Sequence, residues 1–270
     1  MVFFHLFPYN CEIILPFNVL NVAYFGAIMR ILCVIPSRIG STRTPRKALL
    51  PIQNKPMVQW VYENASRCRI LQEVVVATDS DEIANVIQKI GGNVVMTSPL
   101  LPTGSDRVAS VAAQYPDMDV IINLQGDEPF IKPGMLEQLV APYLNGESPD
   151  MTTLASPLDM TVHYNNPGAV KVVTDLQGNA LFFSRAPIPY FRTAEKAPVY
   201  HHMGLYAYRR DFLLHYTQLA STPLEKTEAL EQMRALEHGF KIRVCLTEEK
   251  TLEVNTPEEY QQAQNFVYEE

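Results

Sequence analysis

Four cations crowd one short stretch of this chain. Arg38, Arg43, Arg46 and Lys47 lie in PSRIGSTRTPRK, positions 36–47, with no acid among them. Gly40, Ser41 and Thr42 sit between the cations. A segment of this make-up can turn its backbone N–H groups around an anion. Arg then forks onto two oxygens and Lys acts as a point charge. The chemistry this points to is the binding of a polyphosphate. A solvated basic loop is the alternative reading of the same residues. The stretch is neither GxxxxGK[ST] nor GxGxxG.

A second set of residues complements the first. Asp127, in QGDEP, follows an apolar run, and Gly126 beside it permits close backbone approach. A carboxylate opposite a polyphosphate is what Mg²⁺ needs, because Mg²⁺ takes few protein ligands and completes its shell with phosphate oxygens and water. Thr78-Asp79 ends another apolar run. Gly104-Ser105-Asp106-Arg107 opens a helical pattern and offers backbone groups and a guanidinium to a nucleobase or phosphate, or simply a capped helix start. Arg185, His202, Tyr206 and the pair Glu231-Gln232 are polar groups among apolar neighbours. Singly they read as structural hydrogen bonders; together they can form a site for hydroxyls and a carboxylate.

The elements that must position these groups follow from the apolar pattern. Short continuous runs predict buried strands over 31–35, 73–77, 93–96 and 119–123, with Pro36 ending the first. Helices are expected over 55–67, with Pro56 in its first turn, over 81–90, stopped by Gly91-Gly92, and over 104–114. Strand and helix in alternation predict an α/β fold with a parallel sheet and crossover helices. Ligands of such sheets bind beyond the carboxyl ends of the strands, where the basic loop, Thr78-Asp79 and Gln125 to Asp127 all fall. From about 151 the strands come closer together, over 151–155, 169–174, 180–184 and 204–208. One long helix is then expected over 225–238, a strand over 241–246, and a last helix begun by Thr256-Pro257.

Bulk properties narrow the class. The 270 residues are 47% hydrophobic and 19% charged, as in an ordinary soluble protein. A net charge of −7 argues against a general nucleic-acid binder. The four cysteines show no CxxC spacing, so they read as reduced thiols and not as a disulfide frame or zinc site. Residues 1–28 are strongly apolar, yet they lack a basic n-region and are interrupted by Pro8, Glu12 and Pro16. They make a poor signal peptide and a poor membrane span. The expectation is a leader outside the fold, with the domain beginning at Met29.

In order, PSRIGSTRTPRK, VVVATD, TGSDR, NLQGDEP, AVKVV, LFFSRAPIP, HHMGLYAYRR, LEQMRALEHG and VNTPEE resemble the motifs of the 3-deoxy-manno-octulosonate (Kdo) cytidylyltransferases, over roughly 29–266. The resemblance implies a doubly wound, mostly parallel sheet of the nucleotidyltransferase, Rossmann-like type. It implies a nucleotide-binding half at about 29–150 and a strand-rich sugar-binding and dimerisation half at about 151–270. It also implies a cytoplasmic homodimer that joins CTP and Kdo into CMP-Kdo with Mg²⁺, for lipopolysaccharide biosynthesis. By the same resemblance Arg38, Ser41, Arg43 and Lys47 hold the triphosphate, and Thr78, Asp79, Ser105 and Arg107 serve the nucleotide. Asp127 and Asn255 face the metal, and Arg38, Lys47 and Asp127 carry catalysis. Gln125, Arg185, His202, Tyr206, Glu231 and Gln232 meet the sugar acid. Two positions depart from the family pattern. Arg46 stands where Gly is common, and Asn255 stands where the family's V-D-T-P has its second metal carboxylate. Two rival readings remain at this point: a cytidylyltransferase for a related sugar acid, such as 8-amino-Kdo or a nonulosonate, and a catalytically weak nucleotide-binding homologue.

Overall fold

The computed structural model describes residues 29–40, 46–194 and 196–267. The apolar stretch 1–28 and the loop positions Ser41 and Arg43 lie outside the described residues. The first half is built from β1 (Ile31–Ser37), a small hairpin of β2 (Pro51–Ile52) and β3 (Lys55–Pro56), α1 (Met57–Ser66), β4 (Glu73–Thr78), α2 (Asp81–Lys89), β5 (Asn93–Met96), α3 (Gly104–Ala112), β6 (Val120–Asn123) and α4 (Pro133–Leu144). The second half adds β7 (Met151–Pro157), β8 (Lys171–Thr174), β9 (Ala180–Ser184), β10 (Tyr200–Arg209), α5 (Arg210–Tyr216), α6 (Pro223–Glu228), α7 (Met233–Glu237), β11 (Ile242–Leu246) and α8 (Pro257–Asn265).

Both halves share one sheet, in the order β11-β7-β10-β6-β1-β4-β5. Along that path only β10 runs against the rest: it is antiparallel to β6 and β7, while the other neighbours pair in parallel. The sheet is therefore mostly parallel, with β8 and β9 laid onto β10 as an antiparallel flap. Alternation along β1 shows the layering. Leu32 and Val34 join the core on the face of α3 and α5. Ile31, Cys33 and Ile35 join the core under α1 and α4. Helices on both faces explain why β1 reads as an unbroken apolar run. A third, smaller core holds Ile52, Met57, Phe130, Val254 and Ala263. There Phe266 stacks on Phe130 with ring centroids 4.3 Å apart, clamping α8 beside the loop after β6.

Several sequence expectations need correction. Pro36 does not end β1; the strand runs on to Ser37, paired with Thr78. Leu124 N–H donates to Val34 C=O, so the even residues of β1 face β6, and the last β1–β6 pair is Val34 with Asn123. Pro36 thus lies on the side where pairing has finished, and its missing N–H costs nothing there. Pro56 belongs to β3 and caps α1 instead of lying inside it. The largest change concerns the helix expected over 225–238. It is two helices, α6 and α7, separated at Ala229, which takes the left-handed conformation with φ 51°. Glu231 and Gln232 fall in this break and not on a helix face.

Candidate active site

Beyond the carboxyl ends of β1 and β6 lies a cavity of about 240 Å³. Arg38, Lys47, Arg107, Gln125 and Asp127 line it. Its floor depends on Gly126. A Cβ there would meet Ser37 Oγ at 2.8 Å and the Pro36 carbonyl at 3.2 Å, so only glycine lets the loop after β6 close against the end of β1. Its wall is the start of α3, fixed by a capping box. Thr103 Oγ1 accepts from Asp106 N at 3.1 Å, and Asp106 Oδ2 accepts from Thr103 N at 3.1 Å.

Asp79 stands behind this wall. Its Oδ1 accepts from the backbone N–H of Ile39 at 3.1 Å, and its Oδ2 meets the buried Arg107 guanidinium at 3.3 Å. It ties the entry of the basic loop to α3. Thr78 is fully buried; its Oγ1 accepts from Ser80 N and its carbonyl accepts from Thr97 N. Thr78 and Asp79 therefore brace the first cavity without lining it.

The acidic corner forms around Lys47. Its Nζ donates to Asp127 Oδ2 at 2.7 Å and to Asn255 Oδ1 at 2.8 Å. Val254 N–H donates to the Asp127 carbonyl at 3.0 Å, which holds the two chain segments together. Asn255 is fixed by Glu259, whose carboxylate accepts from its N–H at 2.7 Å, and by Glu253, which accepts from its Nδ2. Asp127 Oδ1 is buried with no hydrogen-bond partner. This is a hard-oxygen donor set with a spare carboxylate oxygen and a cation already seated, so it fits Mg²⁺. Among the described residues no three His, Cys, Asp or Glu side chains form a ready metal cage. Mg²⁺ does not require one, because it keeps waters and substrate phosphates in its shell.

Sequence reading passed over two members of this corner. Glu128 is buried and accepts from Thr251 Oγ1 at 3.2 Å. Burial, then the charges of Glu253 and Asp127, hold its carboxyl well above the ordinary range. Glu253 lies two residues before Asn255. The available signal was adjacency to Asp127 and Asn255, which is weak taken alone.

A second cavity, about 390 Å³, shares Gly104 and Gln125 with the first. Ser105, Tyr206, Glu231 and Gln232 line it. Ser105, expected to bind the nucleotide, lines this second cavity. Gln125 Nε2 donates to Asn123 Oδ1 at 2.9 Å, which sets the amide at the junction. Glu231 Oε1 and Gln232 Nε2 are buried without partners. Such orphans are costly unless a ligand satisfies them. Burial pushes the Glu231 carboxyl up, while Ser105 and the charge of Arg234 pull against it.

The structure does not bring Arg185 or His202 to the lining of this second cavity. The Arg185 guanidinium is spent on main-chain carbonyls: Nε donates to Glu228 at 2.8 Å, and its terminal nitrogens to Pro167 at 3.1 Å and Ala229 at 3.4 Å. It pins the break between α6 and α7. Lys171, fully buried, donates to the Arg185 carbonyl at 2.5 Å. His202 is buried between Thr153, whose Oγ1 lies 3.0 Å from Nε2, and the edge of Phe183. Burial pulls its pKa down to about 3, so the ring is neutral. His202 lies 5.6 Å, ring to ring, from Tyr206, the two rings tilted by 41°.

Known proteins show the same architecture. A cytidylyltransferase family model matches residues 32–242. The 3-deoxy-manno-octulosonate cytidylyltransferase of Acaryochloris marina is 56% identical, over 88% of this chain and 98% of the relative. The enzyme of that name from Geobacter metallireducens is 46% identical, over 85% of this chain and 94% of the relative. A solved CMP:2-keto-3-deoxy-manno-octonic acid synthetase complexed with CTP superposes with a TM-score of 0.83 at 40% identity, covering 87% of this chain and 97% of that one. Both cavities and the acidic corner thus stand on the scaffold of these enzymes, and the chain belongs to the cytidylyltransferase family, among the 3-deoxy-manno-octulosonate enzymes.

Proposed function

We propose that the protein transfers CMP from CTP to the anomeric hydroxyl of 3-deoxy-D-manno-octulosonate, releasing pyrophosphate and supplying CMP-Kdo for lipopolysaccharide biosynthesis. The observation that carries this reading is the meeting of two unlike cavities at Gln125. One is lined by Arg38, Lys47, Arg107 and Asp127; the other is lined by Glu231 and Gln232, whose Oε1 and Nε2 have no hydrogen-bond partner.

Arg38, Lys47 and, in the loop outside the described residues, Ser41 and Arg43 hold the triphosphate. Arg107, braced by Asp79, lies along the nucleotide. Tyr206, Glu231 and Gln232 read the sugar hydroxyls, while Arg185 and His202 act on that pocket from behind its wall. Gln125 orients the acceptor at the junction. The anomeric oxygen bonds to the α-phosphorus, the bond to the bridging oxygen breaks, pyrophosphate leaves with the electron pair, and the hydroxyl proton goes to solvent. Positioning and charge neutralisation supply most of the rate. Asp127 and the Asn255 oxygen would hold Mg²⁺, which when bound neutralises phosphate charge and lowers the pKa of a nearby hydroxyl.

The reading extends to a cytoplasmic homodimer that binds no nucleic acid. Support comes from the exposed apolar side chains Leu176 and Leu181 on the β8–β9 flap, and from the acidic net charge. Among the described residues no helix is long and apolar enough to cross a membrane. A chain begun at Met29 retains turnover on this reading, because β1 starts two residues later, at Ile31. The test is pyrophosphate release from CTP with Kdo. Equal release from ATP or UTP, release in excess EDTA, or a preference for 8-amino-Kdo or a nonulosonate overturns the corresponding part.

A further inference from the structure

We propose that Glu253 is the second carboxylate of the cation site, supplying the charge that Asn255 lacks; this rests on the reading of Asp127 and Asn255 as the metal face. Lys47 Nζ occupies a position between Asp127 Oδ2 and Asn255 Oδ1, so the corner already selects a cation. Only one of those two oxygens carries a charge. The other end of Asn255 decides what lies behind it. Its Nδ2 donates to Glu253 Oε1, while its Oδ1 accepts from Lys47. The ammonium demands the amide oxygen and the carboxylate demands the amide nitrogen, so the orientation of Asn255 is fixed from both sides. Glu253 and Asp127 also lie within range of each other's charge.

Lys47 lines the same cavity as Arg38 and Arg107. An incoming triphosphate competes for its ammonium. When Lys47 turns to phosphate, Asp127 and Glu253 are left with only a neutral amide between them. A divalent ion at that place neutralises both carboxylates, and affinity for such an ion follows the number of charged ligands. The site therefore holds two carboxylates, with the second contributed from position 253.

The test uses the full chain with CTP and no sugar acid, so no turnover occurs, and Mn²⁺ as the probe. Free Mn²⁺ is read by electron paramagnetic resonance. Glu253→Gln should weaken Mn²⁺ binding to the protein–CTP complex by about tenfold or more. Adding Asn255→Asp to that variant should restore most of the loss, because charge returns to the same corner. CTP binding in EDTA should be equal in all three proteins. Unchanged Mn²⁺ binding by Glu253→Gln, a double variant as weak as the single one, or a parallel loss of CTP binding in EDTA overturns the assignment. If the wild-type protein adds nothing to Mn²⁺ binding by CTP alone, the metal face itself is misread, and the assignment falls with it.

Discussion

The guanidinium of Arg185 donates from Nε to the carbonyl of Glu228 at 2.8 Å, one residue before Ala229 turns the chain left-handed. Glu228 answers with its carboxylate, which accepts from Arg185 N at 2.9 Å and Ser184 Oγ at 2.7 Å. A non-glycine residue at positive φ is disfavoured by about 1–2 kcal/mol, so something must hold it. These two residues do, and the reward is that Glu231 and Gln232 face the second cavity.

Arg185→Ala should therefore raise the Michaelis constant for Kdo with little change for CTP, since losing charge-assisted bonds costs about 1.5–3 kcal/mol. Ala229→Gly in the same background should recover part of that loss, because glycine adopts the bend without strain. Steady-state kinetics on both substrates checks it. Failure of Ala229→Gly to recover any Kdo affinity would mean that Arg185 acts on the sugar directly.

His202 makes stability depend on pH. Its pKa falls from 6.5 in the unfolded chain to about 3 in the folded one. Between those values the unfolded state binds more protons, so stability is full above pH 6.5 and declines as pH drops through the window. One proton contributes up to about 1.4 kcal/mol per pH unit. His202→Gln should flatten the denaturant-derived stability curve between pH 7 and 5 relative to wild type, with His201 present in both. Parallel curves would contradict the buried neutral ring.

Gly126→Ala should destabilise the protein by about 1–3 kcal/mol, because the new methyl overlaps Ser37 Oγ and the Pro36 carbonyl. Ser37→Ala alone should cost little, since Ser37 Oγ has no hydrogen-bond partner. Urea midpoints of the two variants give the comparison. An unchanged midpoint for Gly126→Ala would show that the loop after β6 does not press on β1.

Lys47→Ala should lower CTP affinity and leave Kdo affinity nearly intact, because Nζ belongs to the first cavity only. Loss of one charge-assisted contact predicts a fall of about 10-fold to 100-fold. Isothermal titration with CTP in EDTA reads it without turnover. Equal CTP binding by the variant would remove Lys47 from the triphosphate site.

Parallel strands buried on both faces are legible as apolar runs, which is why β1, β4 and β6 stand where the pattern puts them; β5, at the sheet edge, is half-exposed and is legible from its Val94-Val95 pair. α4 was not legible: PGMLEQLVAPYL is apolar nearly all round and carries Pro142 inside, so no amphipathic period emerges. α5, with seven residues, is too short for a period to show. The break at Ala229 could not be read locally, because alanine is the best helix former. Its cause lies 44 positions away in Arg185. Lys47 and Asn255, 208 positions apart, meet only in three dimensions. The residue types proposed the chemistry, and the resemblance to a known family supplied the convergence that spacing alone does not contain.

The reversed strand β10 has a bearing on how the molecule is made. It is hydrogen-bonded to β6 on one side and β7 on the other, with Tyr206 opposite Asn123. Until the ribosome has delivered that late segment, β6 presents an open flank of unpaired amides. Such long-range pairing slows folding, because the loop-closure entropy is lost before the contacts form. The second cavity, lined by Gly204, Tyr206 and Tyr208 of that strand, therefore takes shape only after the segment that forms the first has been made.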